Sequence, residues 1–495
     1  MNAIKPILPV ILVILFCGCG NDWLNLEPET KVPTDETLLT LKDARYAMNG
    51  IYNTMQNAGY YGATMMYYAD LKGGDFMSKK SSDRGNGYYR FSHSANSSPA
   101  ELWSYPYTVT RFANNVLAKI DNLMGEDEKE CKNIKAQALT ARALALFDMT
   151  RVFGYPYTKD GGVSLGVPVV RQPVPTDYKP RRDSVRTCYR YILKDLTDAL
   201  PLFKGQSFDE EEDEQEASVT GRLNRWAAWT LLCRVYLYKG DYQAALEEAK
   251  KLIEEAEQAG YRLWTNSEYS GGWSGANNAE LFFEIVNTNI SGPDKESLGY
   301  LYWRKGYKAI IGSDDFYEFM KKDSKDIRYK LIERKSETVK NEDGTEDKIY
   351  YYYWNKYPGE AGEDPRMANI RIFRLSEVYL IAAEAAAHLG INEDAVTYLR
   401  PLVERGNPAK TVSDDEIVTV DRVLDERRKE LAGEGHRMFD MLRNGKTITR
   451  TPRDMVSVSS ASKSFNWDYY KVAMPIPRSE MDCNENLAEQ QNPGY

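Results

Sequence analysis

Residues 227–258 read AAWTLLCRVYLYKGDYQAALEEAKKLIEEAEQ, two segments of periodic apolar residues around the turn Lys239-Gly240-Asp241. In the second segment, Tyr242, Ala245, Ala249 and Leu252 recur at spacings of three and four residues, which is the pattern of one helix face. Glycine is a common residue just past a helix end. The stretch therefore predicts two helices packed side by side and joined at Gly240.

A second pair of the same kind lies far along the chain. Residues 377–406 read EVYLIAAEAAAHLGINEDAVTYLRPLVERG, with Gly390 at the turn and Pro401 late in the second helix. Both pairs mix small and large residues where neighbouring helices interlock, and both resemble tetratricopeptide repeat units. Two such units far apart in sequence predict a mainly α fold, a tetratricopeptide-like helical scaffold with long loop-rich insertions.

The sequence between and before these pairs divides into helical and irregular parts. Apolar periodicity predicts further helices at about 41–56, 105–124, 129–153 and 183–201. The Pro- and Gly-rich residues 154–180 are expected to form an extended loop. Residues 260–312 and 336–360 are rich in Gly, Asn, Trp and Tyr, and Asp343-Gly344 beside an aromatic run predicts a small β-hairpin.

Composition excludes several function classes. The net charge of −9 repels phosphate backbones, so nucleic acid is not an expected partner. The acidic run 209–216, DEEEDEQE, lacks the spacing of a calcium loop and is expected to be a solvated loop. The three histidines are scattered, so no metal or cofactor site is predicted. Cys131, Cys188 and Cys233 fall in predicted helices and are expected to be free thiols.

The N-terminus resembles an export signal that ends in a lipid attachment site. Residues 7–16, ILPVILVILF, follow Lys5 and are too few to span a bilayer. Phe16-Cys17-Gly18-Cys19 follows, and a small residue before cysteine resembles the bacterial lipobox. We therefore expect residues 1–18 to be a signal peptide and Cys19 to be acylated, which anchors a protein without a membrane-spanning helix.

No sequence motif of a known catalytic centre is present. The chain has no G-x-S-x-G, H-E-x-x-H or P-loop pattern. Paired carboxylates for glycoside hydrolysis stay open, because an acidic protein offers many pairs. With three histidines available for general acid–base work, the sequence favours a binding protein over an enzyme.

Several further motifs have the residues and spacing of one protein family. Trp103, Tyr107 and Asn114-Asn115 are similar to an N-terminal pattern of the SusD/RagB family of outer-membrane nutrient-binding lipoproteins. The most specific matches come late, in DERRKELAGEGHRMFDMLRNGK at 425–446 and in the ending PIPRSEMDCNENLAEQQNPGY at 475–495. The resemblance runs almost from end to end of the chain.

The resemblance implies a function and an organisation. A family member of this kind is a lipid-anchored protein on the outside of the outer membrane that captures nutrient oligosaccharides and passes them to a SusC-like TonB-dependent transporter. The implied regions are the signal peptide 1–18, an N-terminal SusD-like helical region 19–220 with a ligand-loop insertion, the first helix pair 221–259, an irregular aromatic-rich ligand lobe 260–365, and a C-terminal region 366–495 with the second pair.

Two loop segments supply candidate ligand-binding residues, because sugars pair aromatic faces with polar groups. Residues 60–91 contribute Tyr61, Tyr67, Asp75, Arg84 and Asn86, and residues 264–303 contribute Trp273, Tyr300 and Trp303. Trp103 is a further candidate.

Packing is an open alternative for each of these aromatic residues, and turn capping is one for Asp75. Strand-like alternation would place Tyr300 and Tyr302 on one face and Trp303 on the other. Two other functions also stay open, a surface glycoside hydrolase and a repeat scaffold that gathers proteins without binding sugar. The sequence does not identify the glycan or the nutrient class.

Overall fold

The computed structural model describes residues 38–79, 82–203, 219–275, 277–340, 343–359, 362–452 and 458–495. The predicted signal peptide, Cys19 and the acidic run 209–216 lie outside these residues. In chain order the α-helices are α1 (Leu41–Met55), α2 (Thr64–Gly73), α3 (Asn86–Arg90), α4 (Glu101–Lys119), α5 (Glu128–Phe153), α6 (Tyr157–Asp160), α7 (Val185–Phe203), α8 (Arg225–Lys239), α9 (Tyr242–Gln258), α10 (Tyr269–Gly272), α11 (Leu298–Tyr302), α12 (Asp314–Lys321), α13 (Leu375–Leu389), α14 (Asn392–Gly406), α15 (Val420–Glu430), α16 (Arg437–Arg443), α17 (Arg478–Cys483) and α18 (Glu485–Ala488).

Short strands complete the fold. They are β1 (Phe76–Ser78), β2 (Leu281–Ile285), β3 (Ile310–Gly312), β4 (Ile332–Lys340), β5 (Glu346–Trp354), β6 (Ile370–Arg374), β7 (Ile448–Thr449) and β8 (Ser464–Phe465). The protein is therefore mainly α with a minor β component, as the sequence predicts.

The long helices form one continuous array. Contacts join α1 to α4, α4 to α5, α5 to α7, α7 to α8, α8 to α9, and α9 to α13, which pairs with α14. The two helix pairs are far apart in sequence and adjacent in space, because α13 packs against α9. Small residues permit this approach, since Ala245, Ala249, Ala382 and Ala386 are fully buried at these helix faces.

The predicted helix ends are close to the observed ones where a cap is present. Asn224 caps α8 by accepting a hydrogen bond from the backbone N–H of Ala227, and Gly240 ends it in the left-handed conformation. The helix predicted at 105–124 is α4, which begins earlier, at Glu101. Pro106 lies inside this helix and does not mark its start. The predicted free thiols Cys131, Cys188 and Cys233 are unpaired and buried.

The irregular lobe contains a small antiparallel sheet in the order β1-β3-β5-β4. The predicted hairpin is present, since β4 and β5 pair from Ile332 opposite Trp354 to Lys340 opposite Glu346. Strand β3 joins the hairpin to β1 of the N-terminal region, with Gly312 opposite Tyr352 and Phe76 opposite Gly312. The sheet therefore holds the first predicted ligand-loop segment, through β1, against β3, which follows shortly after the second segment.

Buried charges join this lobe to the helical array. Glu430 at the end of α15 pairs with Arg374 of β6 at 3.0 Å, Arg405 of α14 at 2.5 Å and Arg328 at 3.2 Å. All four side chains are almost completely buried. Burying charged groups costs solvation energy, which only close partners of opposite charge offset. The network therefore fixes α14, α15, β6 and the segment that carries Arg328 relative to one another.

Candidate ligand-binding site

Trp273 lies in the protein core and not at a surface. Its side chain is 1% exposed. Three cations surround the indole, with Lys356 Nζ 4.4 Å from the ring centroid and the guanidinium carbons of Arg371 and Arg374 at 5.0 Å. The neighbouring glycines therefore do not uncover the ring, and Trp273 has no free face for a ligand.

Four more of the candidate residues are buried. Tyr61 packs against Tyr60 with ring centroids 4.6 Å apart, and the Tyr67 hydroxyl shares a hydrogen bond of 3.1 Å with Thr64. Asp75 forms an ion pair with Arg428 at 2.7 Å, and Trp103 meets Phe153 edge to face at 4.9 Å. Since each of the four is 8% exposed or less, we leave them out of the site.

Arg84, Tyr300 and Trp303 come together at the surface, although they belong to the two different predicted segments. Tyr300 packs against Trp303 at 6.0 Å and edge to face against Tyr307 at 5.1 Å. The Arg84 guanidinium lies 3.7 Å from the Tyr307 ring centroid and donates through Nε to Glu296 at 2.8 Å. We call Tyr300, Trp303 and Tyr307, which are all half-buried, the aromatic patch.

The expected alternation of Tyr300 and Trp303 is wrong. Residues 298–302 form the helix α11 and not a strand, and Trp303 follows its last residue, with the Tyr300 and Trp303 ring centroids 6.0 Å apart on one side of the chain. Tyr302 points the other way and is fully buried against Tyr357. Both half-exposed rings can therefore contact one ligand.

Tyr307 joins the candidate site, although it lies outside both predicted segments. The second predicted segment ends at Trp303, and Tyr307 is the next aromatic residue along the chain. The signal available was the pairing of aromatic residues with Arg304, Lys305 and Lys308 in one loop.

The loop that carries the patch folds back on α11. Tyr307 donates its backbone N–H to Tyr300 O at 3.1 Å, and Gly306 donates to Trp303 O at 3.0 Å. A Cβ at Gly306 would lie 2.5 Å from Tyr300 O, so only glycine fits this close approach. Gly299 within α11 is required for the same reason, because a Cβ on it would lie 2.2 Å from Pro365 O.

Asn86 begins α3, two residues after Arg84, and is half-buried. Its side-chain oxygen is covered and has no hydrogen-bond partner among the residues that the structure describes. The described contacts do not join Asn86 to the patch, so its position beside Arg84 is all that associates it with the site.

Charged side chains continue from the patch along the β4–β5 hairpin. Arg304 donates to Glu333 at 2.8 Å, and Glu337 is paired with Lys79 at 2.9 Å and lies 3.7 Å from Lys308. Burial acts to raise the pKa of Glu337, but hydrogen bonds from Lys79 and Tyr353 outweigh it and hold the pKa below its usual range. Glu337 is therefore a carboxylate at neutral pH.

Across the part of the chain that the structure describes, no group of three or more His, Cys, Asp or Glu side chains is arranged to hold a metal ion. None of the helices within the described ranges combines the length and the apolar character that crossing a bilayer requires.

Comparisons with known proteins cover nearly the whole chain. The family model described as SusD family matches residues 253–495, and one described as starch-binding, associating with outer membrane, matches residues 22–237. A crystal structure of a candidate sugar binding protein from Bacteroides vulgatus ATCC 8482 is 42% identical, with a TM-score of 0.83 over 93% of this chain and 99% of that one.

Two further relatives agree. A SusD superfamily protein from Bacteroides thetaiotaomicron VPI-5482 is 35% identical, with a TM-score of 0.81 over 92% of this chain and all of that one. SusD-like protein P2 of Formosa agariphila is 23% identical, and the match covers 98% of each chain. The sequence motifs, the helical array and these matches agree, and the chain belongs to the SusD/RagB family.

Proposed function

We propose that the protein binds oligosaccharides at the aromatic patch and captures them without converting them. The observation that carries this proposal is the half-exposed cluster of Tyr300, Trp303 and Tyr307 beside the Arg84–Glu296 pair. The C–H face of a sugar ring stacks on aromatic rings, while its hydroxyls need polar partners at the edge. The patch offers both within one loop.

The relatives support a sugar ligand. The 42% identical structure is that of a candidate sugar binding protein, and the model that matches residues 22–237 is described as starch-binding. An identity of 42% supports the same ligand class, a sugar, for this chain, but it does not identify the particular sugar. Starch is therefore one member of the panel to be tested and not a conclusion.

We further propose that the protein acts at the outside of the outer membrane, held by lipid on Cys19. The description of association with the outer membrane and the lipobox-like residues before Cys19 support this location. A bound oligosaccharide would then pass to a SusC-like TonB-dependent transporter, with the helical array as the docking face. Cys19→Ala should release the protein from the membrane fraction, and retention in that fraction would contradict the lipid anchor.

Two alternatives are less favoured. A glycoside hydrolase needs a carboxylic acid with a raised pKa beside its substrate. Each carboxylate that borders the patch, Glu296, Glu333 and Glu337, is instead paired with Arg or Lys. A scaffold that binds only proteins would leave the aromatic patch without a role.

The test is calorimetric titration of the mature chain without its lipid against a panel of oligosaccharides, with a check of each mixture for cleavage. We expect binding to one class without cleavage. Trp303→Ala should weaken that binding by about tenfold, because one stacking contact is lost. Tyr178→Ala, at an exposed tyrosine in the 154–180 loop, is the matched control and should bind normally. Cleavage of any member, or unchanged affinity in Trp303→Ala, would contradict the proposal.

A further inference from the structure

The loop that carries the patch is strongly basic in an otherwise acidic protein. The chain has a net charge of −9, but residues 303–308 read WRKGYK, with three cations and no carboxylate. Local charge of opposite sign to the whole protein concentrates ligands of the other sign at that point. The loop would thus attract an anion that the rest of the surface repels.

The three cations differ in how far their own neighbours neutralise them. Lys305 is exposed and has no ion pair with any residue that the structure describes. Arg304 donates to Glu333 through Nε alone, so its two Nη groups have no hydrogen-bond partner within the described chain. Lys308 is 3.7 Å from Glu337, which already pairs with Lys79 at 2.9 Å. Hydrogen-bonding capacity therefore remains in the loop.

The carboxylates beside the patch offset its cations only in part. Arg84, Arg304 and Lys308 each lie beside one of the carboxylates Glu296, Glu333 and Glu337, and Asp83 is a further negative charge that acts on Arg84. Lys305 is exposed and has no ion pair among the described residues. The uncompensated positive charge therefore lies on the loop that carries Arg304 and Lys305.

Two residues beside the patch have an unfavourable backbone conformation. Lys308 has φ of 44° and Asp294, in the segment that carries Glu296, has φ of 47°. Positive φ is unfavourable for residues other than glycine, and such conformations are often found at functional sites. Here they lie on the two chain segments that frame the patch.

We propose that the patch takes an acidic oligosaccharide, with a sugar ring against Trp303 and Tyr307 and its carboxylate or sulfate group on Arg304 and Lys305. The guanidinium fork suits either anion, and the lysine adds a mobile charge. This inference rests on the proposed function, since it names the chemical class of the ligand for the same site.

The experiment compares sugars that differ only in charge. Oligogalacturonate is titrated beside its methyl ester, and a sulfated galactan oligosaccharide, whose only charges are sulfates, beside its desulfated form, with neutral starch and laminarin oligosaccharides in the same series. We expect one anionic member to bind and its neutralised partner to bind at least about tenfold more weakly. Its affinity should fall as salt rises from about 0.01 M to about 1 M, because the Debye length shortens from roughly 30 Å to roughly 3 Å.

Two variants test whether Lys305 causes the charge dependence of binding. Lys305→Gln is expected to weaken the anionic sugar by about fivefold and to reduce the salt dependence, with the neutralised sugar unaffected. Lys251→Gln, which removes a charge from the exposed side of α9, should change neither the affinity for the anionic sugar nor its salt dependence.

The outcomes separate the two proposals. Tight binding of a neutral sugar, insensitive to salt and to Lys305→Gln, would overturn the acidic ligand and leave sugar capture intact. Absence of binding to every charged and neutral sugar would overturn both. The carboxylated and the sulfated pair identify which anion is recognised.

Discussion

At the scale of single residues, two tryptophans that look alike in the sequence have different roles in the structure. Trp273 is enclosed by Lys356, Arg371 and Arg374, while Trp303 is half-exposed beside Tyr300. Trp273→Ala should lower the free energy of unfolding by about 3 to 5 kcal/mol, since it leaves a cavity beside buried charges. Trp303→Ala should cost about 1 kcal/mol or less. Chemical denaturation of both variants measures the difference, and equal losses would contradict these placements.

Lys72 is a buried lysine without a carboxylate partner among the residues that the structure describes. Its Nζ donates to Lys471 O at 2.9 Å and lies 4.7 Å from the Phe91 ring centroid. Burial, with smaller contributions from Arg450 and Lys471, lowers the pKa of Lys72 well below the 10.5 of an exposed lysine. The folded protein therefore binds fewer protons than the unfolded chain, and this group's contribution to stability increases as pH rises toward 10.5.

Lys72→Met should remove that dependence. We expect the variant to be at least as stable as the original chain at neutral pH, and its thermal midpoint to rise less between neutral and alkaline pH. Lys251→Gln at the surface of α9 serves as the control. If Lys72→Met were strongly destabilised at every pH, the buried amine would instead be a required hydrogen-bond donor.

At the scale of elements, the loop between α11 and β3 determines the geometry of the patch. Gly306→Ala would place a Cβ 2.5 Å from Tyr300 O, which forces Tyr300 and Tyr307 apart. We expect sugar affinity to fall by about tenfold, as in Trp303→Ala, with little change in thermal midpoint because the loop is at the surface. Gly125→Ala, where a Cβ meets nothing within 4 Å, is the matched control. Full affinity in Gly306→Ala would show that this close approach is not required.

Long helices were predictable from sequence, including α5, α8 and α13, which are buried on nearly all sides, but the short buried helix α2 was not. Helices α1, α7 and α9 each bury a periodic stripe, and their predicted ends are near the observed ones. In α2 every residue is buried, so no periodicity separates ligand-facing from core-facing positions. For this reason Tyr67 is a plausible ligand residue in the sequence and a core residue in the structure.

The site was predictable only in part, for a related reason. Composition selects Arg84, Tyr300 and Trp303 as members of loops rich in aromatic and polar residues, and the structure places these three side chains at the surface. Which of those aromatic residues reach the surface depends on β1, β3 and β5 forming one sheet, a long-range pairing without a local signal. Tyr307 lies beyond the predicted segment, which ends at Trp303, and reaches the patch because the loop after α11 folds back onto Tyr300.

At the scale of the whole molecule, buried ion pairs join the irregular lobe to the helical array. Glu430 contacts Arg328, Arg374 and Arg405, and all of these side chains are inaccessible to water. Glu430→Gln should destabilise the protein by about 3 kcal/mol or more, because three arginines lose a buried counter-charge. Denaturant titration measures this loss, and a change within about 0.5 kcal/mol would contradict a structural role for the network.

The same network predicts sensitivity to acid. Burial acts to raise the pKa of Glu426, but Arg328, Lys429 and Arg422 outweigh it and lower the pKa to about 2, from 4.5 for an exposed glutamate. A carboxylate with a lowered pKa stabilises the fold fully above pH 4.5, and this contribution is lost as pH falls toward 2. Thermal midpoints measured across this interval should fall steeply, and a flat profile would contradict the predicted shift.

If the aromatic patch is where this protein holds a sugar, a bound oligosaccharide must cover it. A crystal structure of the mature chain with the oligosaccharide that binds it in solution would show this contact. We expect a sugar ring stacked on Trp303 or Tyr307, with polar contacts to Arg84, Glu296 or Arg304. An oligosaccharide bound elsewhere on the protein, with Tyr300, Trp303 and Tyr307 left uncovered, would contradict this expectation.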